Sequence, residues 1–443
     1  MNGASRWRWV ALLAVTAIAS YLARVNITVA GAAIMTEAHL SQVEMGRVFS
    51  AFVAGYALCM VPAGALADRW GTRRILFVAA LGWTLSTTLM AGVGIGPLAV
   101  IGILPTLIAL RVLLGVFEAP TFTAAALGIS RWVRPTEQGR ANGFVLAAIG
   151  IGSAAAPPLI TELMTRFGWR TAMVVTALPA LAVAIAWSVV REPVSTSRAA
   201  ARDATRTAGT PSLDLAASAT ASSRNVPASP PRASRLRSRS FIALTVSYTL
   251  QGYVGYIFVF WFYLYLVQER NFTLAESQWV SSLPWVLTIV SIPLGGWLSD
   301  RLASGRLGLI WGRRLVPIVS LVAGGVLLAI GAATTNPWLA AFALAVSTAS
   351  VLAVEGPFWA TMLTLAGDDA GTAGGIMNMG GNLGGFISPA VTPMLAAALG
   401  WERALELAGM IGVIAGLLWL WVTPGEATPL LAAEAQRAQS PTA

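Results

Sequence analysis

The sequence predicts an all-α membrane protein made of two related halves, with six membrane-spanning helices in each half. Three observations support this. Of 443 residues, 56% are hydrophobic and only 11% are charged. Apolar runs of about twenty residues, each long enough to cross the hydrocarbon layer of a bilayer, recur along the whole chain. A short motif at positions 64–74 returns in the second half, and the spacing from position 68 to position 300 is 232 residues.

The composition excludes a soluble protein, because charged residues alone supply about a quarter of an ordinary globular chain. Backbone polar groups in lipid must be satisfied within their own segment, so the apolar runs are predicted to be helices. The net charge is +10, and all 29 basic residues are arginines. These arginines cluster in alternate loops, which is the pattern of membrane topology rather than of nucleic-acid binding.

Twelve spans are predicted from the apolar runs. In the first half they are Trp9–Ala33, Val48–Leu66, Ile75–Val93, Ile101–Trp132, Ala141–Met164 and Thr171–Val190. In the second half they are Phe241–Val267, Trp279–Leu298, Leu315–Ala333, Trp338–Leu365, Thr372–Leu399 and Ala404–Val422. Residues 1–190 are therefore predicted to form the N-terminal bundle. Residues 241–443 are predicted to form the C-terminal bundle with a short cytoplasmic tail.

Residues 191–240 are predicted to be a disordered cytoplasmic linker, because they are rich in Ser, Ala, Thr, Pro and Arg and lack apolar periodicity. The arginines just before Phe241 have two interpretations. They contact anionic lipid, or they act only as the positive-inside signal for the seventh span.

Loop charge predicts the orientation. The Arg-rich side includes the N-terminus, the central linker and the loops 69–74, 131–140 and 301–314. The positive-inside rule assigns this side to the cytoplasm. We therefore expect both termini inside the cell and a location in the inner (plasma) membrane.

The repeated motif is G-x-x-x-D-R, followed by a pair of arginines. The first copy includes Asp68, Arg69, Arg73 and Arg74, and the second includes Asp300 and Arg301 before Arg313-Arg314. An acid and several guanidiniums in a tight turn can latch one conformation through charge-assisted hydrogen bonds. The alternative is a static positive-inside anchor. Further matches at the same spacing support a duplicated bundle: Gly139–Gly143 with Gly371–Gly375, Pro157 with Pro389, and Gly168-Trp169 with Gly400-Trp401.

The loop at 64–74 resembles the signature loop of the major facilitator superfamily. Further motifs resemble its anion:cation symporter branch. They are Tyr21–Asn26, Ser50–Phe52 with Gly55-Tyr56, Arg111–Gly115 with Glu118–Pro120, and Gly374–Asn378 with Gly381–Gly385. The resemblance covers essentially all spans. It implies the major facilitator fold of twelve helices in two pseudo-symmetric six-helix bundles. That branch includes carriers of hexuronates, galactonate, glucarate and tartrate, and animal carriers of sialic acid and glutamate.

The resemblance also implies site residues. Arg24, deep in the first span, corresponds to the arginine that holds the substrate carboxylate, and a guanidinium suits a carboxylate bidentately. The alternative is a structural ion pair with a buried Glu. Tyr21 and Tyr56 are implied to contact other polar groups of the substrate, and Trp359 and Asn378 are implied to line its site.

Proton coupling is expected at Glu118, because a buried carboxyl near an arginine can change its protonation as the surrounding water changes. Arg111 is assigned to the conformational latch together with the residues of the repeated motif. Its expected role is to support coupling or the local polar network. Many family members have Asp at the position of Ala23. Glu355, the repeat-mate of Glu118 at a slightly shifted spacing, is hypothesised to replace that acid in part; alternatively it pairs with a helix terminus or a polar group near Pro357.

The sequence therefore predicts a secondary transporter that carries a small organic anion, such as a sugar acid, together with protons by alternating access. Proton-independent exchange or uniport is the alternative, and a non-transporting membrane sensor is a further one. No catalytic constellation, metal-ligand cluster, cofactor motif or nucleic-acid signature is recognisable, and we expect a monomer in the lipid bilayer.

Overall fold

The structure, a computed structural model, describes residues 3–134, 137–190 and 236–424. Regular secondary structure in these ranges is entirely helical. Most of the predicted linker, from 191 to 235, and the predicted C-terminal tail after 424 lie outside the described residues.

The described chain forms sixteen α-helices, most of them long and apolar. In the first half these are α1 (Gly3–Ala38), α2 (Gln42–Trp70), α3 (Thr72–Ala91), α4 (Pro97–Ile101), α5 (Ile103–Glu118), α6 (Pro120–Trp132) and α7 (Gln138–Val189). In the second half these are α8 (Arg239–Phe260), α9 (Phe262–Gln268), α10 (Leu274–Val280), α11 (Leu283–Ala303), α12 (Gly308–Ala333), α13 (Pro337–Leu352), α14 (Glu355–Ala366), α15 (Ala370–Leu399) and α16 (Trp401–Leu417).

The predicted spans correspond to these helices. Eleven helical stretches within the described ranges are long and apolar enough to cross a membrane. One of them, Arg140–Val189, is 50 residues long and contains both the fifth and the sixth predicted spans, which gives twelve. The prediction of an all-α protein with twelve membrane-spanning helices is therefore confirmed.

Two glycines make the same turn in the two halves. Gly168 interrupts α7 with φ 79° and ψ 162°, and Gly400 separates α15 from α16 with φ 84° and ψ 157°. This backbone region is essentially restricted to glycine, because a side chain would clash there. The repeat seen in the sequence thus extends to backbone geometry, and each glycine allows two long helices to follow each other with almost no loop.

Helices approach closely where glycines face backbone. A Cβ added to Gly115 of α5 would lie 2.1 Å from the carbonyl oxygen of Phe52 in α2, and one added to Gly55 of α2 would lie 2.2 Å from that of Val112. In the second half, a Cβ on Gly295 of α11 would lie 2.0 Å from the carbonyl oxygen of Ala353. Small residues at these contacts permit the tight packing typical of helices in lipid.

The two halves meet along α2 and α15, and along α7 and α11. Within the first half, α1 packs on α7 and α2 on α5. Within the second half, α8 packs on α15 and α12 on α16. The inner helices α1, α5, α8 and α14 consequently bring their polar side chains toward the centre of the molecule.

Candidate functional site

A buried ion pair lies at the centre of the first half. Arg24 of α1 is 5% exposed and Glu118, the last residue of α5, is fully buried. Arg24 Nε donates to Glu118 Oε1 at 2.9 Å, and Nη2 lies 2.7 Å from the same oxygen. Ser20 Oγ donates to this oxygen as well, at 3.4 Å. Taking both charges out of water is costly, so such a pair persists only with good geometry.

Aromatic rings surround the guanidinium of Arg24. Its carbon lies 4.5 Å from the centre of the Tyr21 ring, 5.0 Å from that of Phe52 and 5.1 Å from that of Tyr56. Arg24 Nη1 also donates to the Tyr21 hydroxyl at 3.2 Å. Cation–π contacts stabilise the positive charge while leaving the edge of the guanidinium available for hydrogen bonds. The structure thus brings together Tyr21, Arg24, Tyr56 and Glu118, all of which were predicted.

Arg111 is a second buried cation in the same half. It is fully buried in α5, and its guanidinium lies 4.6 Å from the centre of the Phe52 ring. None of its three side-chain nitrogens has a hydrogen-bond partner within the described residues. The structure places Arg111 inside the bundle and away from the loops with which it was grouped. Together with Arg24 it gives this region two positive charges against the single carboxylate of Glu118.

The second half presents a carboxylate at its centre. Glu355, the first residue of α14, accepts a hydrogen bond from Tyr248 Oη at 3.1 Å on one oxygen and from Gln251 Nε2 at 3.1 Å on the other. Trp359 approaches the same carboxylate and is 36% exposed. No arginine pairs with Glu355 among the residues that the structure describes.

Two asparagines of α15 lie at the interface between the halves. Asn382 Nδ2 lies 3.5 Å and Asn378 Nδ2 3.8 Å from the sulfur of Met60 in α2. Tyr256 donates to Asn382 Oδ1 at 3.3 Å. Tyr256 also interacts electrostatically with Arg24. Polar groups of both halves therefore meet around Arg24.

Sequence reasoning did not single out Tyr248, Gln251 or Asn382 as site residues. The available signal was polarity: Gln251 is an amide within an apolar helix, one turn from Tyr248 on the same face. Such a residue in lipid normally faces protein or water.

The loops of the repeated motif hold helix ends. Arg73 donates to the carbonyl oxygens of Trp187, at 3.0 Å, and of Ser188, at the end of α7. Arg314 Nε donates to the carbonyl oxygen of Val422 at 2.5 Å; Val422 follows a 3₁₀ turn, Leu418–Trp421, that continues α16. Arginines of the two copies thus bind equivalent ends, where exposed carbonyls carry the negative end of the helix dipole.

The remaining residues of the predicted latch are at the surface. Asp300 forms an ion pair with Arg313 at 2.5 Å, and the guanidinium of Arg301 lies 5.5 Å from the centre of the Trp297 ring. Arg69 and Arg74 are exposed. The side chain of Asp68 lies outside the described part of the structure.

The halves are joined on the side opposite these loops. Gln42, at the start of α2, accepts a hydrogen bond from Trp401 Nε1 at 3.1 Å and donates to Gln268 Oε1 at 3.0 Å. A further hydrogen bond joins the halves between the hydroxyl oxygens of Thr161 in α7 and Tyr263 in α9, which are 3.0 Å apart. This side of the site is therefore closed.

Comparison with known proteins shows which family has this architecture. A family model described as Major Facilitator Superfamily matches residues 13–389 and 302–442. The chain therefore belongs to the major facilitator superfamily, and it is a multi-pass membrane transporter rather than an enzyme. Its relatives are consistent with the anion:cation symporter branch, as the sequence motifs predicted.

Three relatives are similar over nearly their full length. A D-galactonate transporter of Escherichia coli O6:H1 is 27% identical, with 94% of this chain and 95% of that protein covered. A probable sulfoacetate transporter of Cupriavidus necator is 29% identical, with 91% of each chain covered. A hexuronate transporter of Bacillus subtilis is 25% identical, with 90% of each covered.

Solved structures share the fold. A bacterial homologue of the human lysosomal transporter Spinster, in an inward-facing and occupied conformation, has a TM-score of 0.75 at 16% identity, with 95% of this chain and 97% of that chain covered. A D-xylose–proton symporter has a TM-score of 0.73 at 16% identity, with 95% and 99% covered. At this identity the likeness establishes the fold alone.

Proposed function

We propose that the chain is a proton-coupled symporter of a small organic anion, in particular a sugar acid. The observation that carries this proposal is the buried ion pair between Arg24 and Glu118. The guanidinium of Arg24 contacts this carboxylate, and it also borders a region lined by other polar side chains, where a substrate can bind. The names of the galactonate and hexuronate relatives support the substrate class.

The proposed coupling is a competition for Arg24. In the structure, Nε of Arg24 donates to Oε1 of Glu118 and Nη2 lies 2.7 Å from the same oxygen, while Oε2 of Glu118 has no hydrogen-bond partner among the described residues. A proton on Oε2 neutralises Glu118 and weakens its hold on the guanidinium. A substrate carboxylate then replaces Glu118 at Arg24 and accepts hydrogen bonds from the guanidinium with both of its oxygens. Arg111, whose guanidinium has no hydrogen-bond partner among the described residues, adds a positive potential that favours the anion.

The other predicted residues complete the site. The Tyr21 and Tyr56 hydroxyls, the Asn378 amide and the Trp359 indole are proposed to hydrogen-bond substrate hydroxyls. Glu355 is proposed to share proton coupling, since Ala23 supplies no acid at the neighbouring position. The loops with Asp68, Arg69, Arg73, Arg74, Asp300 and Arg301 are proposed to latch the outward-facing conformation. These loops and both termini are proposed to lie on the cytoplasmic side.

We expect the Glu118→Gln variant to lose accumulation driven by a pH gradient, because Gln cannot bind and release a proton. The measurement is uptake of labelled galactonate into proteoliposomes, with and without an acidic exterior. Exchange of labelled for unlabelled substrate without a gradient should persist, which separates coupling from folding. Glu162→Gln, which alters an exposed acid paired with Arg166, is the matched control and should accumulate substrate normally.

Proton-independent exchange or uniport is the second candidate, and Ala23 favours it, because this buried position carries no titratable group. Equal uptake by the unmodified protein with and without a pH gradient would support it and contradict the symport proposal. A ligand-sensing role predicts binding without any movement of substrate across the membrane.

The closed side gives a further prediction. Replacing Gln42 by Ala removes its hydrogen bonds to Trp401, Gln268 and Glu269 of the other half, which together contribute about 1–3 kcal/mol. We expect a shift of at least about fivefold toward a conformation open on this side. The measurement is the distance between spin labels at the exposed positions Arg47 and Arg403, with Cys59 replaced by Ser. Gln138→Ala, which removes bonds within the first half only, should leave this distance distribution unchanged.

A further inference from the structure

The two halves of the site differ in charge. On the side of the first half, Arg24 and Arg111 face the single carboxylate of Glu118. On the side of the second half, Glu355 is surrounded by neutral groups: Tyr248, Gln251 and Trp359. The site is consequently positive at one end and negative at the other.

The described arginines of the second half lie elsewhere. Arg270 donates to Tyr265 Oη and to the carbonyl oxygens of Gly331, Ala332 and Thr334, at one end of the bundle. Arg313 and Arg314 bind Asp300 and the carbonyl of Val422 at the other end. None of these groups is placed to neutralise Glu355, or to receive a second substrate anion beside it.

The carboxylate of Glu355 can still receive hydrogen bonds. Its oxygens accept one hydrogen bond each from Tyr248 and Gln251, and Trp359 is a third neutral donor beside them, whereas an ionised carboxylate has about four acceptor positions. The Glu355 side chain is partly exposed. Tyr21 in the opposite half interacts electrostatically with both Glu118 and Glu355, so the two carboxylates border the same region. Glu355 therefore suits hydroxyl donors at the far end of a substrate held by Arg24.

We propose that Glu355 selects sugar acids with one carboxylate and a hydroxyl-bearing far end, and that it rejects dianions such as aldarates. This inference rests on the proposed function, in which Arg24 holds the first carboxylate. The selection acts while Glu355 is ionised, before it takes up a proton. A second carboxylate next to it would then meet a like charge that none of the described arginines of the second half compensates for, and such juxtapositions are strongly unfavourable. Overall sequence similarity does not decide between the two classes, because probable galactarate/D-glucarate transporters are also relatives, at 27–28% identity.

The test compares D-galactonate with galactarate, which have the same carbon skeleton and differ at the sixth carbon, a CH₂OH in one and a carboxylate in the other. Affinity of the full-length purified protein is measured by competition in substrate exchange without a pH gradient. We expect the unmodified protein to prefer galactonate roughly 10- to 100-fold. We expect Glu355→Gln to bring the ratio of the two affinities to within about threefold of one, through tighter binding of galactarate.

A matched variant separates charge from packing. Tyr248→Phe removes a hydrogen bond to Glu355 but keeps its charge, so it should weaken both acids together and preserve their ratio. Because the readout is a ratio within each variant, a general loss of folded protein cancels. Equal affinities in the unmodified protein, or an unchanged ratio in Glu355→Gln, would overturn the inference while leaving the proposed transport of sugar acids intact. Failure of both acids to bind any variant would overturn the proposed function and this inference with it.

Discussion

Replacement of Arg24 by Ala is expected to weaken binding of the organic anion by about 3 kcal/mol, roughly 100-fold or more. The reason is that Arg24 is proposed to be the direct partner of the substrate carboxylate, in a buried site where a lost charge-assisted hydrogen bond is not replaced by water. The measurement is the affinity of purified protein for galactonate, by calorimetry or ligand-dependent thermal stabilisation. Arg24→Lys keeps the charge but lacks the planar fork, so it should bind roughly tenfold more weakly than the unmodified protein.

The same substitution also affects folding, and a double variant separates the two effects. Arg24→Ala leaves Glu118 buried without its ion-pair partner, which costs about 3–5 kcal/mol of stability. Adding Glu118→Gln removes the stranded charge and should restore much of the stability without restoring binding. If the folded double variant bound galactonate as tightly as the unmodified protein, Arg24 would have no role in capturing the substrate. Arg166→Ala, at an exposed ion pair, should change neither property.

Replacement of Gly115 by Ala is expected to destabilise the folded protein by about 3 kcal/mol, near the upper end of the usual effect of overpacking. The new Cβ would lie 2.1 Å from the carbonyl oxygen of Phe52 and 2.7 Å from the amide nitrogen of Tyr56. These are backbone atoms of a long helix, so they cannot move aside as a flexible side chain does. The shift would also displace Tyr56 and Phe52, which contact the guanidinium of Arg24.

The matched control is Gly143→Ala, at a helical glycine whose added Cβ would meet no atom within 4 Å. Alanine favours helix over glycine by about 1 kcal/mol, so this variant should be slightly more stable. The measurement is the midpoint of thermal unfolding in detergent, which should fall for Gly115→Ala and rise for Gly143→Ala. Equal midpoints would show that α2 and α5 do not pack as closely as described.

Much of the fold could be predicted from the sequence, because lipid leaves the backbone few choices. Each apolar run of sufficient length must be helical, and the motif repeated from Asp68 to Asp300 indicated two related halves. The apolar runs did not predict which spans are joined without a loop and which are divided into two helices. Gly168 bends the chain so tightly that two spans follow each other as one 50-residue helical stretch, whereas Pro120 lies where α5 ends and α6 begins.

The charged residues of the candidate site could be predicted from the sequence, but the neutral partners Tyr248, Gln251 and Asn382 could not. A pairing of Arg24 with a buried Glu was only one of two alternatives. Arg24, Glu118 and Glu355 stand out because a charge within an apolar span needs a partner or water. Which charges meet depends on how α1, α5 and α14 pack, and the sequence does not encode this in any local pattern. Arg111 is an example. The sequence analysis assigned it to the conformational latch together with loop residues, but in the structure it lies on α5 inside the bundle, beside Phe52.

The turns at Gly168 and Gly400 have a mechanical consequence. A connection of one residue has no slack, so the fifth and sixth spans cannot slide past each other, and neither can the eleventh and twelfth. Trp169 and Trp401, directly after the two glycines, bond to Glu37 in the same half and to Gln42 in the other half, respectively. Any rocking of the molecule must therefore move each hairpin as a rigid unit. The first hairpin is bonded to the opposite half between Thr161 and Tyr263, and the second between Trp401 and Gln42, so both bonds must break before the halves can tilt on this side.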